Sequence, residues 1–304
     1  MRIAVMGVGG IGACIGGRLA AAGADVLFLA RGAHLAALQA DGLRVTSALG
    51  DVRLPAIHAR ADATGEAPAD VVVFAVKGPD TVAAAGTIAP LVGPDTAIVP
   101  FQNGVEHVEI LQRRFGERAV LPGVTYIAAV IDGPGHVRHV GTGNRSLFGE
   151  IDGTRSARAT GFAALAQRAG LEMIVVDDIL AELWGKFTLL GAFTAVACLS
   201  RLPVGAWTDT PETLELFVEG MHEIIAVAAA KAIALDAPAL IEANLAFMRS
   251  LEPPWKGSML NDLERGKRIE IDSLSGYVHR LGRELGVPTP LHSTAYRALC
   301  RYAR

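Results

Sequence analysis

The sequence predicts an α/β fold in which a doubly wound parallel sheet is followed by a second, all-helical domain. Strand and helix patterns alternate over the first part of the chain. Residues 70–76 (DVVVFAV) form a continuous β-branched and aromatic run, which is typical of a parallel strand buried on both faces. Beyond residue 177 only helical patterns follow. We therefore expect an N-terminal domain over residues 1–177 and a helical C-terminal domain over residues 178–304.

The elements of the N-terminal domain are predicted from local patterns. The apolar run at 2–6 predicts a buried strand, the alanine-rich segment 15–22 a helix, and residues 25–30 a second strand. Further helices are predicted at 33–40, 81–91, 105–115 and 160–169, and further strands at 97–101, 119–124 and 172–176. A small β excursion is predicted over 43–59, and an antiparallel extension of the sheet over 126–130, 136–140 and 146–149.

The C-terminal domain is predicted to contain helices alone. Pro253-Pro254 and the segment Gly286-Val287-Pro288 are the clearest breaks between them. The longest apolar stretch, residues 187–199, is shorter than the ~20 residues that cross a bilayer, so we expect a buried helix there. The predicted helices lie at 178–200, 211–235, 238–251, 262–285 and 290–302.

A glycine pattern lies between the first strand and the first helix. A G-x-G-x-x-G turn in the order strand, turn, helix, strand predicts a dinucleotide site, because its glycines allow a tight turn, a close approach of the backbone to a pyrophosphate and close packing of helix on strand. The N-terminus of the helix then offers N–H groups to the phosphates. The alternative is a glycine-rich turn that binds nothing. The residues of the pattern are Gly7, Val8, Gly9, Gly10, Ile11 and Gly12.

Arg31 stands at the tip of the second predicted strand, where chains that bind NAD usually carry an acid. A guanidinium pairs with a 2′-phosphate, whereas a carboxylate repels it. The sequence therefore predicts NADPH/NADP⁺ as the cofactor. The alternative is a solvated loop arginine, and an assay of cofactor selectivity separates the two.

The composition excludes several classes of protein. Hydrophobic residues make up 51% of the chain and charged residues 19%, and the formal net charge is −3, which gives no reason to expect nucleic acid or a membrane as partner. The three cysteines lack C-x-x-C spacing and fit a reducing cytoplasm. Met1 leads directly into the first strand, so we expect no signal peptide. No cluster has metal-ligand spacing, and we interpret four histidines as surface or capping residues: His107, His136, His139 and His292.

Two polar residues follow predicted strands of the sheet. In a doubly wound sheet, ligands bind beyond the carboxyl ends of the strands. Lys77 follows the strand at 70–76 and Asn103 follows the strand at 97–101, so both are candidates to face the nicotinamide. The alternatives are a surface lysine beside a Gly-Pro turn and an ordinary Asn-Gly turn.

With these residues in place, the chain resembles the ketopantoate reductase (2-dehydropantoate 2-reductase) family over nearly its whole length. The glycine motif is widely shared, whereas the segments in the second domain are specific. The resemblance implies an NADPH-dependent reductase with a Rossmann domain and a helical domain, and a small 2-oxo acid held between them. The matching segments are Gly7 to Gly12, Arg31, FAVK at 74–77, QNGV at 102–105, LWGKF at 183–187, SMLND at 258–262 and EID at 270–272.

The resemblance also implies roles for individual residues. Lys186 is similar to the family's catalytic lysine and Glu270 to its carboxylate partner, which we also place near the cofactor. Ser258 is similar to the serine that binds the substrate carboxylate, and Asn103 and Lys77 to residues near the nicotinamide. By position alone, Lys186 and Glu270 would more often be a solvated pair.

The chemistry of carbonyl reduction explains why an ammonium is needed. Hydride attack builds negative charge on oxygen, which a positioned ammonium stabilises and protonates. Burial lowers the pKa of a lysine, while a nearby carboxylate keeps it charged. On the predicted helix at 262–285, extended back to residue 258, one stripe would carry Ser258, Asp262, Gly266 and Glu270. Asp262 is predicted either to cap the helix or to bind a ligand.

One departure from the family pattern concerns the substrate. Positions one and two helical turns after Lys186, where the family carries asparagines, hold Leu190 and Thr194. Leu190 cannot form a hydrogen bond, and Thr194 keeps a hydroxyl group that we assign to substrate binding. The expected reaction is the reduction of ketopantoate to pantoate. The alternatives are a more apolar 2-oxo acid or ketone, a non-catalytic NADPH-binding regulator, and a reductive aminase. A homodimer is left open.

Overall fold

The computed structural model describes residues 1–303, and these form two compact units. The first unit comprises Met1–Gln102 and His107–Ile179, and the second comprises Asn103–Glu106 and the chain from Leu180 onward. In chain order, the helices and strands up to residue 175 are β1 (Arg2–Met6), α1 (Gly10–Ala21), β2 (Asp25–Leu29), α2 (Gly32–Asp41), β3 (Leu43–Thr46), β4 (Val52–Leu54), β5 (His58–Arg60), β6 (Val71–Phe74), α3 (Thr81–Ile88), β7 (Ala97–Pro100), α4 (Glu106–Phe115), β8 (Gly123–Thr125), β9 (Ala128–Gly133), β10 (His136–Val140), β11 (Arg145–Phe148), α5 (Ala157–Arg168) and β12 (Glu172–Val175).

A five-stranded parallel sheet forms the centre of the first unit, with the order β5-β2-β1-β6-β7. All four residues of β6 are buried, as the continuous apolar run predicts. The α/β class and the helical second unit are therefore confirmed. Strand β1 lies between β2 and β6, so the loops that follow these three strands leave the same edge of the sheet.

The predicted antiparallel extension of this sheet is wrong for its first two segments, whereas the third, β11, pairs antiparallel with β8, and Val120, just before β8, bridges to Ile98 of β7. Strand β9 pairs only with β10, and β10 pairs in parallel with β3, which gives a separate four-stranded sheet of order β4-β3-β10-β9. The tight turn at Gly135 (φ +71°) folds β9 back on β10, and Arg44 N donates to Gly135 O at 2.9 Å, which fixes the hairpin on β3. Strand β11 lies in a third sheet, between β12 and β8.

Seven helices follow in the described part of the second unit, including α7, which the sequence did not predict. They are α6 (Ile179–Ser200), α7 (Val204–Thr208), α8 (Pro211–Ala230), α9 (Ala237–Ser250), α10 (Ser258–Glu264), α11 (Ser275–Leu285) and α12 (Pro290–Leu299). Within residues 1–303, α6 alone is long and apolar enough to cross a membrane, and 67% of its most apolar window is buried inside the protein.

The predicted continuous helix over 262–285 is also wrong. Helix α10 ends at Glu264, and Gly266 adopts φ +66°, a conformation that ends a helix. Residues 267–270 are irregular, and a turn over 271–274 leads into α11. Glu270 therefore lies outside any helix, and the predicted stripe from Ser258 to Glu270 does not exist.

Three of the four histidines interpreted as surface or capping residues are buried: His107, His139 and His292. His292, on α12, is fully buried; its Nε2 donates to Gly220 O at 3.1 Å, so its Nδ1 accepts from Ser275 Oγ at 3.1 Å. The Glu223 carboxylate accepts from the N–H groups of Leu291 (2.7 Å) and His292 (3.0 Å) and thereby caps α12. These bonds join α8, α11 and α12 through buried polar groups.

We predict that His292 makes the fold sensitive to acid. Burial lowers the pKa of His292 from 6.5 to about 4. Between these values the unfolded chain binds more protons than the folded protein, so stability is lost as the pH falls from about 6.5 to about 4, by on the order of 3 kcal/mol. The variant His292→Gln, whose amide can still donate to Gly220 O, should show a smaller loss when urea unfolding is measured across this range.

The matched control is His222→Gln, which removes an exposed histidine from α8. It should keep the acid-induced loss of the unchanged protein. An equal loss in all three proteins would contradict the role of His292.

Candidate active site

The glycine loop after β1 has the shape that a dinucleotide requires. Gly7 adopts φ +93°, and a Cβ atom there would lie 2.8 Å from Val76 Cγ1; a Cβ at Gly12 would overlap the carbonyl oxygen of Gly7. A Cβ at Gly9 would meet nothing within 4 Å, so the backbone is open to a ligand at this point. Gly9 is also the N-cap of α1 and offers no side-chain acceptor to the N–H groups of the first turn. These residues fit the pyrophosphate of a dinucleotide.

Gly10 is needed for a different reason. A Cβ atom there would lie 2.5 Å from the carbonyl oxygen of Ala129 on β9. This glycine lets the hairpin of β9 and β10 pack against the start of α1. The helix begins at Gly10 rather than at the predicted residue 15, so part of the glycine pattern is itself helical.

Arg31 lies at the tip of β2, as predicted, and its side chain is 66% exposed. Its Nη2 lies 3.4 Å from Oδ2 of Asp80, a residue that the sequence analysis did not single out. Asp80 stands in the turn after β6, three residues beyond the exposed Lys77. In the sequence, Pro79 and Asp80 precede the helix predicted at 81–91, and this pattern indicates a helix start. Nothing in the sequence predicts that Asp80 pairs with Arg31.

Lys186 has a strongly lowered pKa. It lies on α6, partly buried, between the buried aromatic residues Trp184 and Phe187, whose rings meet edge to face at 5.7 Å. Desolvation lowers the pKa of Lys186 from 10.5 to about 8. Its Nζ donates to Asn103 Oδ1 at 3.3 Å. An ammonium in such surroundings gives up its proton far more readily than a solvated lysine does.

The segment Asn103–Glu106 brings this amide oxygen to Lys186. Gly104 adopts φ +86°, and a Cβ there would lie 3.1 Å from Ser273 O, so only glycine allows this close approach. Glu106 Oε1 accepts from Arg280 Nη2 at 2.7 Å. The sequence analysis gave an ordinary Asn-Gly turn as the alternative for Asn103. In the structure, this turn packs with the second unit and places Asn103 beside Lys186.

The other predicted site residues occupy different surroundings. Ser258 is the exposed first residue of α10, and Asp262 lies one turn further on, partly buried. Glu270 is partly buried in the irregular segment before α11, where its carbonyl oxygen accepts from Ser273 Oγ at 3.2 Å. The Thr194 side chain is 3% exposed, and its hydroxyl donates to Leu190 O and Gly191 O of its own helix at 2.8 and 3.1 Å. This burial argues against the substrate-binding role predicted for Thr194.

A loop open to a pyrophosphate and an ammonium with a lowered pKa are features that suit the reduction of a carbonyl group. The class of protein is an oxidoreductase. Two family models, one for ketopantoate reductase PanE/ApbA and one for its C-terminal part, match residues 3–153 and 178–303. The chain belongs to the ketopantoate reductase family.

Individual relatives agree with the family models. The chain is 36% identical to a 2-dehydropantoate 2-reductase of Mesorhizobium japonicum, over 95% of this chain and 94% of the relative. The crystal structure of a PanE/ApbA family ketopantoate reductase from Ralstonia eutropha JMP134 superposes with a TM-score of 0.88 at 31% identity, over 100% of this chain and 98% of that one. A D-mandelate dehydrogenase with NADH and anilino(oxo)acetate shares the fold, with a TM-score of 0.90 at 22% identity, over 100% of this chain and 98% of that one.

We predict that Lys186 lowers the stability of the folded protein at neutral pH. Because its pKa falls from 10.5 to about 8, the folded protein binds fewer protons than the unfolded chain between these values, and stability rises with pH across that window. The variant Lys186→Met should be more stable at pH 7, by about 1–3 kcal/mol, and should lack this rise. Urea unfolding at pH 7 and about pH 10 measures both effects.

The control is Lys231→Met, at the end of α8 in the same unit. It should keep the rise between pH 8 and 10.5. If Lys186→Met is less stable than the unchanged protein at pH 7 and still shows the rise, burial of the ammonium is not the cause.

Proposed function

We propose that this protein reduces the ketone of a 2-oxo acid to the 2-hydroxy acid with NADPH, and that 2-dehydropantoate, converted to pantoate, is the substrate. The observation that carries the proposal is the ammonium of Lys186, held by Asn103 Oδ1 at 3.3 Å with its pKa lowered to about 8. A general acid works best when its pKa lies near the pH at which it operates.

The first unit would hold the cofactor. The backbone of Gly9 and the N-terminus of α1 would bind the pyrophosphate, and Arg31 would bind the 2′-phosphate. Lys77 and Asn103 would lie near the nicotinamide. When bound, the cofactor supplies the hydride.

Lys186 would supply the proton. Its ammonium would donate a hydrogen bond to the carbonyl oxygen and stabilise the negative charge that develops there. The same N–H would then give its proton to that oxygen, leaving a neutral amine, which solvent reprotonates. Asn103 would aim the ammonium. Because the reaction needs the protonated lysine, reduction should slow as the pH rises through about 8.

Three further residues keep the roles predicted for them, two of which the family resemblance implies. Ser258 would bind the substrate carboxylate, and Glu270 would keep Lys186 charged and contact the cofactor. Asp262 would either contact a ligand or stabilise helix α10 without contacting a ligand. The division into a cofactor domain and a helical substrate domain, and the cytoplasmic location, stay predictions.

A second candidate substrate is a 2-oxo acid with a more apolar side chain. Helix α6 is largely buried, but Leu189 and Leu190, in the turn after Lys186, are partly exposed. These side chains present an apolar surface one helical turn from the ammonium. A hydroxyl group of the substrate would find no hydrogen-bond partner on them, which favours a substrate without that hydroxyl.

We predict that Lys186→Ala lowers kcat for reduction by roughly 10²–10⁴, the loss expected for a general acid, and leaves the affinity for NADPH largely intact. Oxidation of NADPH followed by absorbance with a panel of 2-oxo acids and ketones, including 2-dehydropantoate, measures the first effect. Fluorescence titration with NADPH measures the second. Lys231→Ala is the control and should turn over normally.

Near-normal turnover by Lys186→Ala would remove this residue from the mechanism. Absence of turnover of every ketone by the unchanged protein, with NADPH still bound, would favour the non-catalytic regulator.

We predict that Leu190→Asn shifts the substrate preference toward 2-dehydropantoate. The comparison substrate is trimethylpyruvate, which has the same carbon skeleton without the hydroxyl group. A new hydrogen bond to that hydroxyl should raise the ratio of kcat/KM values about tenfold. The ratio for the unchanged protein distinguishes the two candidate substrates. An unchanged ratio in the variant would show that Leu190 does not face the substrate, and Leu285→Asn, on α11, controls for general effects of a surface asparagine.

A further inference from the structure

The ion pair between Arg31 and Asp80 joins the two segments that follow the strands on either side of β1. Arg31 follows β2 and Asp80 follows β6, and the strand between them, β1, leads into the loop. Arg31 Nη2 and Asp80 Oδ2 are 3.4 Å apart, and the two side chains are 66% and 42% exposed. Both charges are therefore accessible from solvent at the edge of the sheet that carries the glycine loop.

The turn that carries Asp80 is fixed by hydrogen bonds. Asp80 N donates to Lys77 O at 2.9 Å, and Thr81 Oγ1 donates to Gly78 O at 2.7 Å. Gln102, which is buried, donates from Nε2 to Thr81 Oγ1 at 2.8 Å. The backbone of the turn is therefore held in place from the segment that follows β7.

The carboxylate of Asp80 is not used to cap its own helix. Asp80 is the last residue of a short 3₁₀ helix, Gly78–Asp80, that runs directly into α3, and its backbone is helical (φ −91°, ψ −2°). Here its side chain makes no capping hydrogen bond. The described partner of the carboxylate is Arg31.

We propose that Asp80 determines cofactor choice, by accepting a hydrogen bond from the ribose 2′-hydroxyl of NADH and by competing with the 2′-phosphate of NADPH for Arg31. Chains that bind NAD usually carry such an acid at the tip of the second strand, and chains that bind NADP carry an arginine. In this protein, Arg31 stands at the tip of the second strand, and the acid, Asp80, comes from the turn after β6. It therefore binds both nucleotides, with a smaller preference for NADPH than Arg31 alone would give. The inference rests on the proposed use of a nicotinamide cofactor.

The expected effects follow from the charges. A 2′-phosphate carries nearly two negative charges, and a carboxylate about 4 Å from a single charge changes its affinity about fivefold even in bulk water. The variant Asp80→Asn removes this repulsion and the ion pair with Arg31, and the asparagine side chain has nearly the same shape as the aspartate. NADPH should therefore bind at least about fivefold more tightly to Asp80→Asn. NADH should bind more weakly, because an amide oxygen is a poorer acceptor for the 2′-hydroxyl than a carboxylate.

The experiment is a fluorescence titration of the full chain with NADPH and with NADH, in the absence of any 2-oxo acid. The proteins are the unchanged chain, Asp80→Asn, Arg31→Ala, the double variant and Asp95→Asn. Asp95 also pairs with an exposed arginine, with Arg118 Nη2 at 3.1 Å, but it precedes β7 and so lies at the opposite edge of the sheet. It is the matched control and should change neither affinity.

Three further results are expected. Arg31→Ala should weaken NADPH far more than NADH. The effect of Asp80→Asn on NADPH should be smaller in the Arg31→Ala background, because part of it acts through the arginine. The tightening should also shrink toward zero at about 1 M salt, where charges are screened within ~3 Å. The first result follows from Arg31 alone, whereas a purely structural role of Asp80 would give neither of the other two.

The proposal is overturned if Asp80→Asn changes both affinities by the same factor, or if the unchanged protein binds NADPH more than about a thousandfold more tightly than NADH. If neither nucleotide binds, both this proposal and the proposed function fail. If the nucleotides bind as expected but no 2-oxo acid is reduced, the proposed function fails and the role of Asp80 stands.

Discussion

A lysine ammonium that has lost most of its water must find an oxygen atom, and in this chain Asn103 supplies one. Lys186 could keep its charge at neutral pH only at a cost, since its pKa is lowered to about 8. The hydrogen bond to Asn103 Oδ1 offsets part of that cost and fixes the direction of the N–H group. The asparagine in turn depends on Gly104, whose positive φ and missing side chain let the segment pack against Ser273. A residue with a side chain at position 104 would disturb the ammonium through its acceptor.

The sequence predicts an element of this structure well where the pattern that specifies it lies within a few residues of the chain, and poorly where distant residues decide. The order strand, glycine turn, helix, strand over residues 2–30 was recognisable because each element shows its pattern within a few residues. The helix over 262–285 was predicted wrongly for the same reason. Its apolar residues continue past Glu264, but Gly266 adopts a left-handed conformation and the chain enters α11 only at Ser275. Ile269 and Ile271 are buried without being helical, which periodicity cannot reveal.

The site shows the same limit more sharply. The sequence indicated Lys186 and Asn103 as candidate site residues, but it could not predict their hydrogen bond. The two residues are 83 positions apart in the chain, and only the tertiary fold brings them together. Asp80 and Glu223 were missed because each partner lies in another element: Arg31 for the first, the start of α12 for the second. His292 was interpreted as a surface or capping residue because the type of a residue does not reveal whether it is buried. Partners and burial are the properties that a single sequence leaves open.

Arg31 and Lys186 show how exposure to water decides what a cation does. Arg31 is 66% exposed, so the Coulomb attraction that it exerts on an anion is weakened both by Asp80, 3.4 Å away, and by dissolved salt. Lys186 is shielded, so the same unit of charge becomes easy to release as a proton. An arginine in place of Lys186 would keep the charge and lose the acid, because a guanidinium does not deprotonate in proteins. A lysine in place of Arg31 would keep attraction for a phosphate and lose the fork of donors that binds it at two points. Binding a phosphate and releasing a proton therefore require different cations, and the chain holds a cation of each kind in surroundings that suit that chemistry.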